Sequence, residues 1–198
     1  IADLSEDADV CCDVASEAQV DAMVSSVIGR HGRLDIAVNN AGILGPFGKL
    51  LENVEEAEWD RALGVNLKGV FLCMKHELKA MSGQGGAIVN VSSAAARIGS
   101  PGQYVDYASA KGAIDAFTLG LAKEVAAEGV RVNAVRPGLI DTEIHASGGL
   151  PDRVKDLQHL VPMQRGGTAD EVAQSIVWLL SDAASYTTMS LIDVSGGR

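Results

Sequence analysis

Tyr107 and Lys111 stand four residues apart in the run "QYVDYASAKGAID", which spans Gln103 to Asp115. On a helix, side chains at i and i+4 lie on one face within reach of each other. A free phenol titrates near a pKa of about 10 and is a poor base at neutral pH. An ammonium beside it stabilises the phenolate and lowers that pKa. The pair can then pass a proton to or from a substrate oxygen. Tyr104 lies two turns from Lys111, just after "SPG", where a helix is only beginning. Tyr107 is therefore the tyrosine within reach. Taken alone, Y-x-x-x-K also describes an ordinary helix surface, so its surroundings must decide.

Three apolar runs end in residues suited to a site. Ala87–Val91 is followed by Ser92 and Ser93, and a serine there can donate a hydrogen bond to a substrate oxygen. Leu34–Asn39 runs into "NNAG", ending at Ala41 and Gly42. Val130–Val135 runs into "RPG", with Pro137 and Gly138. Small and turn-forming residues let a flat ligand approach the backbone closely. One such end is ordinary turn chemistry. Three in order beside the tyrosine and lysine mark a site, because ligands of open α/β sheets bind beyond the carboxyl ends of the strands.

The runs themselves are rich in Val and Ile with little alternation, as expected of parallel strands covered on both faces. Ser190–Val194 is a fourth and Ala8–Asp13 a fifth candidate. Helical patterns lie between them. Ser16–Gln19 has the form of a capping box and opens a helix to about Gly29, and Thr168–Glu171 opens another to about Ser181. The acidic run "ENVEEAEWD" suits a helix N-terminus and starts a long helix ending near Ser82. A third long helix runs from Tyr104 or Tyr107 to Glu128. The segment Asp141–Gly167, broken by Gly and Pro, reads as a flap over a site, with His145 in it as either a substrate contact or a solvated loop residue, the second preferred. Alternating strands and helices predict a doubly wound parallel α/β sheet in one domain, residues 1–198.

A chain of 198 residues with 47% hydrophobic content can bury a sizeable core. Its net charge of −10 speaks against nucleic acid as a partner. No apolar run is long enough to span a membrane, and the first residues lack a signal-peptide pattern, which points to the cytoplasm. Cys11, Cys12 and Cys73 have no metal-like spacing and read as reduced packing residues, with no metal site expected.

The ordered set "CDV", "NNAG", "GVNLKG", "VNVSS", "YASAK" and "RVNAVRPG" resembles the short-chain dehydrogenase/reductase family over nearly the whole chain. Its second half looks closest to glucose 1-dehydrogenase-like and 3-oxoacyl-reductase-like members. The resemblance implies a Rossmann-like, three-layer α/β/α domain that interconverts a secondary alcohol and a ketone with NAD or NADP. It implies Tyr107 as general acid/base and Lys111 as the group that lowers its pKa and holds the nicotinamide ribose. It further implies Ser93 as the serine that orients the substrate oxygen, and Asn66 as the residue holding a relay water behind Lys111. For the cofactor, Asp13 would meet the adenine amino group with Val14 packed beside it, and Asn39 would approach the adenosine ribose. Ala41, Gly42, Pro137 and Gly138 would line the same cleft, and Ile140 and Thr142 would hold the carboxamide. Members of the family usually assemble as tetramers through their long helices, so a homo-tetramer or dimer is expected.

Two features depart from the family pattern. The glycine-rich turn that cradles pyrophosphate at a helix N-terminus is not among these residues. Without the strand that carries it, the "CCDV" strand should lack a neighbour and the "NNAG" strand its inner partner, and an N-terminal portion beyond the written chain is expected. The alternative is a truncated dehydrogenase fold that serves as a binding or oligomerisation module. "IADLSEDA" reads either as the end of a strand, with Asp3 gripping the adenosine 2′-hydroxyl, or as the end of a helix. The second reading is preferred, so NAD against NADP stays open. Met189 stands where relatives usually carry Gly.

Overall fold

The structure is a computed structural model that describes residues 2–5 and 8–198. Its centre is a four-stranded parallel sheet in the order β3 (Ile36–Asn39), β4 (Gly86–Val91), β5 (Val130–Pro137) and β8 (Leu191–Val194). The strand residues alternate between two buried faces. Ile88, Val130 and Val132 point into a core with Met74, Met81, Ile114 and Leu121. Val89 and Val135 point the other way, against Val172 and Leu179. The first core belongs to α3 (Val70–Met81) and α5 (Val105–Val125), the second to α8 (Ala169–Leu180). This is the three-layer arrangement expected for strands that are apolar on both sides. α1 (Glu17–His31) packs outside α3, where Val20 meets Leu72, Cys12 and Cys73.

Several local expectations change. The long helix after "ENVEEAEWD" is three segments: α2 (Glu56–Leu63), a π-helical turn over Gly64–Gly69, and α3. Its start is a capping box of Glu55 and Glu58. The box at Thr168 and Glu171 forms, whereas Ser16 makes no side-chain cap. Gln19 Oε1 instead accepts from the Asp13 N–H at 2.8 Å, which removes the second half of that box. At its other end α1 runs past Gly29 and stops at Gly32, which adopts the left-handed conformation. Of the three cysteines, Cys12 and Cys73 are buried but Cys11 is exposed, as alternation on a strand requires.

The first residues also differ. Ala2–Asp3 is a short strand, β1, pairing in parallel with β2 (Val10–Cys11). This corrects both the preferred helix-end reading and the expectation that "CCDV" has no neighbour. Backbone donors there find partners locally, as in the 2.9 Å bond from Cys12 N to Asp3 O. Ile1, Glu6 and Asp7 of that stretch lie outside the described residues. The other expectation holds: β3 is the sheet edge, with Ile36 52% and Val38 42% exposed. The flap is organised rather than irregular. β6 (Ile140–Asp141) pairs with β7 (Gly167–Thr168) at its base, and α6 (Glu143–Ser147) and α7 (Arg153–Leu157) lie between. Met189 adopts φ +63°, a left-handed conformation that costs a non-glycine residue about 1 kcal/mol.

A polar network lies inside the first core. Asn39 and Asn90 are neighbours in register, joined by a 3.0 Å hydrogen bond from Asn39 Nδ2 to Asn90 Oδ1. Asn90 Nδ2 donates to Thr118 Oγ1 on α5, and Asn39 Nδ2 also donates to Glu77 Oε2 on α3 at 3.2 Å. Burial pushes the Glu77 carboxyl up to about 7, and the Asn39 donor offsets only part of that. The native state then keeps a proton between about pH 4.5 and 7 that the unfolded chain releases. Stability from this group is full below that window and is lost as pH rises through 7. Glu77→Gln should thus raise Tm at pH 8 by roughly 5 °C and leave it unchanged at pH 4.5. Thermal melts at the two pH values test this, and an unchanged or lower Tm at pH 8 contradicts it.

Candidate active site

The carboxyl ends of β4 and β5 face the first turns of α5, and here the predicted residues converge. Tyr107 and Lys111 are both buried on one face of α5, with Nζ 5.6 Å from the phenol ring centroid. Lys111 Nζ donates to the Val91 carbonyl at 2.7 Å, which fixes the ammonium against the end of β4. Burial drives both groups toward their neutral forms. The phenol is pushed up to about 12, with the Ser93 hydroxyl beside it pulling part of the way back. The ammonium is pushed down to about 8, opposed by the carboxylate of Asp115 one turn further on. Asp115 itself is paired with Arg136 at 2.8 Å.

The two serines separate cleanly. Ser92 Oγ donates to the Lys111 carbonyl at 3.1 Å and so ties α5 to β4. Ser93, also just past the end of β4, is directed instead toward Tyr107. Its Oγ accepts from the Ala95 N–H at 3.1 Å, at the start of α4 (Ala95–Ile98), and neighbours the Tyr107 phenol.

Asn66 sits within the π-helical turn, fully buried. Its Oδ1 accepts from Ile43 N at 3.0 Å and its Nδ2 donates to Ile43 O at 2.9 Å. The side chain thereby holds the loop after "NNAG" against the helix. A Cβ on Gly42 would lie 2.9 Å from Asn66 Oδ1 and 3.7 Å from Lys111 Nζ. Only glycine lets the loop come this close. π-turns inside α-helices recur at functional sites, and this one aims Asn66 at the loop.

The remaining residues are spread around this centre. Gly138 touches β8, where an added Cβ would come within 2.7 Å of Ser195 Cα, and Pro137 precedes it at the end of β5. Ile140 is buried at the base of the flap. Thr142 is the exposed residue before α6 and makes no side-chain cap. Ala41 is exposed beside Gly42. Val14 packs against Gly69, and the Asp13 carboxylate accepts from Ala15 N at 2.9 Å. The Asn39 side chain is turned inward to Asn90 and Glu77 and is not directed at the cleft.

A cluster that the sequence did not announce adjoins Ser93. Tyr104 packs edge-on to Tyr107, with ring centroids 5.4 Å apart. Its hydroxyl accepts from Arg153 Nη2 at 2.6 Å. His145 also belongs here and is partly buried rather than solvated, with Nε2 3.0 Å from the Ile140 carbonyl. No charge or apolar period in "GGLPDRVKDL" signals that its arginine is inside. Among the described residues no group of His, Cys, Asp and Glu is placed to hold a metal ion, and no helix is long and apolar enough to cross a membrane.

Comparison with known proteins agrees with this geometry. The chain matches the family described as "Enoyl-(Acyl carrier protein) reductase" over residues 1–198. It is 55% identical over 191 residues to the "Uncharacterized oxidoreductase YgfF" of Escherichia coli (strain K12), covering 94% of this chain and 76% of that protein. It is 40% identical over 186 residues to the "3-oxoacyl-[acyl-carrier-protein] reductase FabG" of Thermotoga maritima, covering 93% of this chain and 74% of that one. The solved structure "ElxO with NADP Bound" superposes with a TM-score of 0.86 at 34% identity, over 94% of this chain and 76% of that one. The protein is thus an NAD(P)-dependent oxidoreductase, and it belongs to the short-chain dehydrogenase/reductase family.

Proposed function

We propose that the protein interconverts a ketone and a secondary alcohol, with Ser93, Tyr107, Lys111 and Asn66 as its working residues. The observation that carries this reading is the burial of Tyr107 and Lys111 on one face of α5, with the Ser93 hydroxyl beside the phenol. The nicotinamide end of the cofactor fits the cleft. Gly42 leaves a space that a Cβ would fill, directly beside Asn66 and Lys111, and the Lys111 ammonium keeps two N–H donors beyond the one given to Val91. Ile140 and Thr142 follow the "RPG" turn on the far side. Asp13 with Val14, the Asn39 backbone, Ala41, Pro137 and Gly138 are the further residues proposed to line the cofactor's path.

When bound, the reduced cofactor supplies a hydride to the carbonyl carbon. The chain's residues handle the oxygen. Ser93 donates a hydrogen bond that orients it. Tyr107 is a neutral phenol at pH 7, so it can give its proton to the developing alkoxide. Lys111 places a positive charge beside the phenolate that results. Asn66 holds the loop at Gly42, and the wide turn around it is where a relay water would refill the proton.

The test is oxidation of reduced nicotinamide by a panel of ketones, followed by absorbance. Turnover should decline as pH rises through about 8, where Lys111 gives up its charge, and not near 12, where Tyr107 ionises. Rates that hold constant to pH 10 would remove the Lys111 ammonium from the mechanism. A stable protein that takes up no reduced cofactor would favour the binding-module alternative.

A further inference from the structure

Arg153 on α7 is 5% exposed, yet no carboxylate among the described residues lies within ion-pair distance of it. A guanidinium taken out of water is costly unless a counter-charge meets it. Its partners here are neutral. One nitrogen, Nη2, donates to both Gln103 Oε1 and Tyr104 Oη. The guanidinium also lies over the rings of Phe47 and Tyr104, 5.1 Å from each centroid. Ring faces and neutral acceptors hold the cation in position but leave its charge uncompensated. Nε and Nη1 find no acceptor among the described residues.

The position of this cation matters. Arg153 lines a cavity together with Ser93, Ser100, Tyr104, His145 and Arg198, and no acidic side chain lines it. Tyr104 is the ring between Arg153 and Tyr107. The charge is therefore held one aromatic ring away from the reacting phenol. His145 Nδ1 is buried at the same cavity without a hydrogen-bond partner. Burial, and then the repulsion of Arg153, hold the His145 pKa below its ordinary value. An anion in the cavity would relieve that repulsion and let Nδ1 carry a proton to it. The Asp141 carboxylate nearby offsets part of that repulsion, but the charged side chains that line the cavity itself are Arg153 and Arg198, both positive, which concentrates small anions there.

We propose that the cavity takes a short oxo acid or hydroxy acid, with its carbonyl or hydroxyl at Ser93 and Tyr107 and its carboxylate at Arg153. This rests on the ketone–alcohol chemistry proposed above for Ser93 and Tyr107. A carboxylate is preferred to a phosphate because the cavity is small and a single guanidinium, with free N–H groups on two nitrogens, Nε and Nη1, remains to meet it.

The experiment uses protein expressed from its complete gene with saturating reduced cofactor. Straight-chain oxo acids of increasing length are compared with their methyl esters. The best acid should exceed its ester in kcat/KM by roughly a hundredfold. Arg153→Gln should remove that preference by lowering the acid alone, and Arg153→Lys should retain part of it. Equal use of acid and ester by the wild type overturns the proposal, as does preference for a phosphate ester or a neutral 3-oxoacyl thioester. So does an equal loss on acid and ester in both variants. A second measurement keeps the inference separate from the hydride chemistry and from any folding defect of the variants. Butyrate, which cannot be reduced, should raise the Tm of the wild type, whereas butyramide should not. Butyrate protection without turnover of any ketone upholds the carboxylate site and rejects the reaction. Ketone turnover with no difference between butyrate and butyramide does the reverse.

Discussion

Tyr107→Phe is expected to lower ketone reduction roughly a thousandfold while leaving the fold and cofactor uptake unchanged. The substitution removes one oxygen from a side chain that is already buried and lies edge-on to Tyr104. The phenol's principal polar neighbour is Ser93, which retains its bond from Ala95 N. No buried acceptor is orphaned, so Tm should stay within a few degrees of the wild type. The two measurements are stopped-flow reduction and the quenching of reduced-nicotinamide fluorescence on binding. Activity within tenfold of the wild type would show that some other group protonates the substrate oxygen.

Lys111→Met is expected to have the second largest effect, and its signature is a divergence of activity from stability. Turnover should fall by about 10²–10⁴, because the charge that stabilises the phenolate is gone. Stability should not follow. The native state holds the Lys111 ammonium at a pKa of about 8, below its unfolded value of 10.5. The unfolded chain therefore keeps a proton between those values that the native one has released. The cost of burying the charge is full below pH 8 and is relieved as pH rises toward 10.5. Methionine removes this cost, about 3 kcal/mol, but leaves the Val91 carbonyl unpaired, at about 1–3 kcal/mol. The two nearly cancel at pH 7, so Tm should equal or slightly exceed the wild type. A Tm lower by more than ten degrees or so would make Lys111 a structural keystone.

What the sequence showed plainly is what periodicity and spacing encode. β4 and β5 were legible because their Val and Ile residues face apolar cores on both sides. Tyr107 and Lys111 were legible because i and i+4 share a helix face. The rest depends on three-dimensional context that no short pattern carries. "GVNLKG" is a weaker helix former than its neighbours because of its two glycines and its asparagine, but low propensity alone does not mark a π-turn. The choice between Ser92 and Ser93 needs the register of β4 against α5, which sends one hydroxyl to the Lys111 carbonyl and the other to the phenol. Asn39 ends an apolar strand like a turn residue, but Asn90 and Glu77 offer its amide a buried partner. Arg153 was missed because arginine in a Gly- and Pro-broken segment is ordinarily solvated. Ser16 shows the converse error, a capping pattern whose glutamine was engaged elsewhere.

The π-helical turn at Gly64–Gly69 has a consequence for how this gene tolerates change. A π-turn spends one residue more than the α-helical path between the same two points. Deleting a single residue between Leu63 and Val70 would give a more regular helix, and helix-forming propensity alone would not oppose it. The apolar residues of α3, fixed by Met74 and Met81 in the core, would keep their places. The turn that carries Asn66 would rotate by about 100°, and Ile43 would lose both of its hydrogen bonds. The segment is therefore sensitive to its length as well as to the identities of Asn66 and Gly69. The extra residue serves the loop that Asn66 anchors, at the expense of the regularity of the helix that contains it.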